Sequence, residues 1–86
     1  MRRDSEFFGD QDLTLVFIAK RLAVALKIEE LLTSAGLDYM IETDTYTGGV
    51  VFRSERVGVF FYVAPPSLDA VRHVLEQNRY KVYSDG

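Results

Sequence analysis

Seven consecutive residues, Val57 to Val63, read VGVFFYV and carry no charge. A strand with one face in water alternates apolar and polar side chains, whereas a strand apolar at both parities belongs in the middle of a sheet. The chain must therefore fold around this segment, with other strands on its flanks. Ala64-Pro65-Pro66-Ser67 ends it, because proline has no N–H to give to a ladder.

The flanking elements follow from periodicity. Leu13 to Ala19, LTLVFIA, is short, β-branched and aromatic, and reads as a buried strand. From about Lys20 to Ala35 the pattern is helical, with Val24, Ala25, Ile28, Leu31, Leu32 and Ala35 on one face, and Gly36 supplies the left-handed cap. Leu37 to about Tyr46 alternates weakly, as an edge strand does. Ser67 and Asp69 open a second helix with an apolar stripe of Leu68, Val71, Val74 and Leu75, reaching Asn78, and Tyr80 to Tyr83 makes a last short strand. The order β-α-β-β-α-β predicts an α+β, ferredoxin-like fold: a four-stranded antiparallel sheet with two helices on one face. Residues 1–12 read as a polar, mobile leader anchored by Phe7 and Phe8, and residues 13–86 as one domain.

Composition narrows the function. With 86 residues there is core for one domain, and 48% hydrophobic with 27% charged residues is globular. A net charge of −3 argues against a nucleic-acid partner. The absence of cysteine excludes disulfides and thiolate metal sites and fits a cytoplasmic protein. The opening residues form no secretory signal, and no stretch approaches the roughly 20 apolar residues of a membrane span.

Catalytic chemistry has little to stand on. Glu42 and Asp44 share one strand face but lack a histidine companion, His73 is the only histidine, and neither Ser54 nor Ser67 has the base that would activate it. We expect no enzyme, no metal and no cofactor. Gly48-Gly49 is followed by strand-like residues, so it reads as a β-to-β connection instead of a phosphate loop, and Arg53-Ser54-Glu55-Arg56 as a solvated turn. The first helix lacks a capping side chain, and Lys20 and Arg21 beside its start are candidate anion-binding residues. Leu22 and Leu26 fall off its core stripe.

If Val16, Ile18, Val57, Val59, Phe61 and Val63 face the helices, then Leu15, Phe17, Phe60 and Tyr62 lie on the other face, joined by Met40. That face has no helix to cover it, which makes it a candidate surface for homodimerisation or for a small-molecule or protein ligand. An alternative is single-stranded RNA binding, since Val16 to Leu22 is similar to an RRM strand with Phe17 at the stacking position and Phe60 on the third strand.

The stretch LVFIAKRLAVALKIEELLTSAGLDY also resembles the opening of a family of small prokaryotic signal-transducing proteins, through Leu31, Leu32, Ala35, Gly36 and Leu37. VGVFFYVAPPSLDAVRHVL is similar to that family's later strand, turn and helix. The resemblance implies a ferredoxin-like regulatory domain working by ligand or protein binding, with no catalytic residue to carry over.

Overall fold

The computed structural model describes residues 1–48 and 54–83, with the side chains of 44–48 and 54–57 left aside. Its elements are α1 (Ser5–Phe8), β1 (Thr14–Ala19), α2 (Leu22–Ser34), β2 (Met40–Gly48), β3 (Ser54–Val63) and α3 (Leu68–Gln77), with a 3-10 turn at Pro65–Ser67 before α3. The described strands form one antiparallel sheet in the order β1-β3-β2. The VGVFFYV segment lies at its centre, as its composition requires. β1 and β2 each run antiparallel to β3, so they are parallel to one another and α2 is the crossover between them.

Both long helices pack on the same sheet face. Ala25, Ile28 and Leu32 of α2 and Val71 and Leu75 of α3 close over Val16, Ala19, Phe61 and Val63, with Tyr39 completing the buried cluster. Ring contacts organise it: Tyr39 and Phe61 lie 5.8 Å apart, and Phe17 meets Phe61 edge-on at 6.4 Å.

Local chemistry sets the helix ends. After α2, Gly36 sits at φ 72°, Gly36 N–H donates to the Thr33 carbonyl (3.0 Å) and Leu37 N–H to that of Leu32 (2.9 Å). That bond pair is a Schellman cap. α3 ends the same way: Arg79 N–H donates to Glu76 (3.0 Å), Tyr80 N–H to Leu75 (2.9 Å), and Arg79 itself takes φ 65°.

Ser54, Glu55 and Arg56, read from the sequence as part of a solvated turn, are instead paired in β3 with Gly48, Thr47 and Tyr46. Two further expectations need correction. The first concerns β1. Leu15 pairs with Tyr62 and Phe17 with Phe61, so Val16 is an extra residue and β1 bulges. A bulge sets two residues against one and shifts the alternation by one place. Phe17 therefore falls on the helix-packed face, against Phe61 and Tyr80, while Ile18, opposite Phe60, moves to the other side.

The second concerns the fourth strand. No described strand covers residues 80–83. The segment runs beside β1, buries Tyr80 and Val82 partly against the core and donates one backbone bond, from Tyr83 N–H to the Val16 carbonyl (2.7 Å). The bulge at that residue interrupts the regular edge on which a full ladder would form.

The leader is held against the domain through Met1 to Arg3 and by the buried Phe8, whereas Gly9 to Asp12 are exposed. Arg2 bridges Tyr39 in parallel, Arg3 N–H donates to the Tyr39 carbonyl (2.7 Å), and Tyr39 N–H donates to the Met1 carbonyl (3.1 Å). The Asp4 carboxylate caps α1 by accepting from Phe7 N–H (3.2 Å), and Arg3 Nε meets Asp38 Oδ1 at 3.0 Å. From Arg2, beside the start of β2, the chain crosses to Thr14 on the opposite edge strand, burying Phe8 outside the main core cluster on the way.

Candidate functional site

Pairing with β3 fixes which side chains share the face away from α2 and α3. Leu15 and Met40 both pair with Tyr62, and Ile18 and Glu42 with Phe60. Directly opposed residues point to the same side, so Leu15, Ile18, Met40, Glu42, Phe60 and Tyr62 line one surface. None of its apolar members packs on the core between sheet and helices, and each is half-buried. Leu15, Met40, Phe60 and Tyr62 thus sit together where alternation put them. Phe17 does not, and Ile18, which alternation assigned to the core, stands in its place.

This placement bears on base stacking. An RRM-like platform needs aromatics from the first and third strands on one face, and here Phe17 and Phe60 lie on opposite faces.

Lys20 and Arg21 lie between β1 and α2. Arg21 is the N-cap residue in extended conformation, and no side chain caps the helix. With Ala19, Leu22, Thr43 and Val59 they line a cleft of about 310 Å³. A second, open hollow of about 500 Å³ runs between the leader (Arg2 to Ser5) and the start of β2 (Met40 to Glu42).

Glu42 and His73 are exposed, and no group of three His, Cys, Asp or Glu side chains is placed to hold a metal among the described residues. Gly49, Arg53 and the side chains of Asp44, Ser54, Glu55, Arg56 and Val57 lie outside the described residues.

Among the described residues one side-chain group has a shifted pKa, and its role is structural. Tyr39 is buried; its hydroxyl donates to Glu29 Oε1 (3.1 Å) and lies 3.4 Å from Thr33 Oγ1. Burial raises its pKa, the Thr33 bond opposes that, and the bond to Glu29 and its charge add to it. The Met1 α-amino group, which donates to the Leu37 carbonyl and lies 3.8 Å from Asp38, is pushed down mainly by burial.

Among described residues, no helix is long and apolar enough to cross a membrane. No family model, curated protein or solved structure matches the chain, so nothing in these comparisons identifies the signal-transducing family.

Proposed function

We propose that the protein is a small, non-catalytic regulatory module of ferredoxin-like connectivity that acts in the cytoplasm as a homodimer, with the sheet face away from the helices as its contact surface. One observation carries this reading: Leu15, Ile18, Met40, Phe60 and Tyr62 share a face on which neither long helix packs. A central strand apolar at both parities needs cover on both sides; the leader reaches this face only beside Met40 and Glu42, and a second copy of the same face would cover the rest by two-fold symmetry. The parallel edge strands with β3 between them, and residues 80–83 beside β1, support the ferredoxin-like connectivity.

Phe60→Asp tests the reading. Fully burying an exposed phenylalanine contributes about 1.5–3 kcal/mol, and with Phe60 already half-buried two symmetric copies are worth about one to two orders of magnitude in a dimer constant. Light scattering should give a dimeric mass for the parent and half that mass for the variant, with unchanged circular dichroism. A monomeric parent, or a variant that stays dimeric, would refute it. Leu15→Lys, which charges the same face from another strand, should give the same outcome.

A further inference from the structure

α2 carries two large apolar side chains on its solvent side, Leu22 at 70% exposure and Leu26 at 56%, in a chain that buries its other leucines at least partly. Leu22 is also a wall of the cleft it shares with Ala19, Thr43 and Val59, whose only charged members are Lys20 and Arg21. Both cations are exposed, and neither has an acidic partner among the described residues, where the ion pairs involve Met1, Arg3 and Lys27 instead. An apolar hollow of about 310 Å³ with two exposed cations at its rim, on a chain of net charge −3, is complementary to one kind of molecule. A neutral apolar ligand would leave the cations unused, and a small inorganic anion would leave the hollow empty.

We propose that this cleft binds an anionic amphiphile: an aliphatic chain of medium length between Ala19, Leu22, Thr43 and Val59, with its carboxylate at Lys20 and Arg21. The size agrees, since small-ligand sites begin at about 300 Å³ and are mostly apolar with a few orienting polar groups. The site is separate from the sheet face, so neither reading depends on the other.

Sodium acetate, butanoate, hexanoate and octanoate, titrated calorimetrically into the 86-residue protein, test the proposal. Affinity should rise about fourfold for each methylene buried and level off once the cleft is full. Octan-1-ol should bind about fivefold more weakly than octanoate, because exposed cation–carboxylate pairs are worth little each. Thr43→Phe, which places a ring in the cleft from an exposed position, should abolish binding of the whole series. Leu22→Asp, at a position too exposed to matter for folding, should do so by setting a like charge at the mouth, and it decides the matter should Thr43→Phe not fold. Phe60→Asp should leave octanoate affinity unchanged. Affinity independent of chain length, octanoate binding that survives Leu22→Asp, or binding lost in Phe60→Asp would each overturn the assignment, the last by placing the amphiphile on the sheet face.

Discussion

Arg79 holds a conformation that suits glycine. Its φ of 65° closes the Schellman cap of α3, and a left-handed residue with a Cβ costs about 1–2 kcal/mol. Glycine would relieve that cost while adding entropy to the unfolded chain, so Arg79→Gly should stabilise by roughly 0.5–1 kcal/mol, read as a higher urea midpoint at unchanged slope. Gly36 is the mirror case. A Cβ there meets nothing within 4 Å, so the cost of Gly36→Ala is conformational alone and should lower stability by about 1 kcal/mol. Equal midpoints for the three proteins would mean that these caps do not hold the helix ends. The glycine cap is legible in the sequence because Gly36 follows an apolar helical stripe; Arg79 is not, because nothing in its side chain announces a positive φ.

At the level of elements, what could be read was what is locally encoded. α2 and α3 each repeat their apolar residues at helical spacing, and β3 declares its central position by composition, so their existence and order follow from short windows. The bulge in β1 does not, because an inserted residue leaves the sequence LTLVFIA looking like an unbroken strand and appears only when β3 supplies the register. That single step turned Phe17 into the core and Ile18 out of it, and so rewrote one position of the candidate face. The cleft was half legible: Lys20 and Arg21 stand out beside an uncapped helix, but Thr43 and Val59 reach it from other strands. The bulge predicts an asymmetry between neighbours. Phe17→Ala removes a ring packed on Phe61 and Tyr80 and should cost about 3 kcal/mol, whereas Ile18→Thr, on the open face, should cost below about 1 kcal/mol in the monomer. The opposite ranking in chemical denaturation would restore simple alternation.

For the molecule as a whole, Tyr39 is where separate parts meet. Its backbone holds the leader through Met1 and Arg3, its ring packs on Phe61, and its hydroxyl reaches Glu29 and Thr33 of α2. Its pKa in the folded protein lies above the ordinary 10.0, chiefly through burial. The sign of the effect is fixed: below pH 10 both folded and unfolded forms keep the proton and its contribution is whole. Above it the unfolded chain ionises first, and stability falls as pH rises through the folded value. In Tyr39→Phe the alkaline loss should be shallower, by at most about 1.4 kcal/mol per pH unit, in urea midpoints compared between pH 9 and 11. Superimposable slopes would mean that the hydroxyl ionises alike in both states.

The strand order also governs how the chain can assemble in time. Because β3 lies between β1 and β2, the two earlier strands cannot pair with each other, and Thr14 finds its ladder partner only in Val63. On a ribosome, β1 and α2 emerge with no sheet to join. The β2–β3 hairpin, whose contacts are close in sequence, forms quickly, but its docking onto β1 must close a long loop. Until then the apolar edge of β1 has no hydrogen-bonding mate, and that interval, more than anything in the finished fold, is when the nascent chain is open to mispairing.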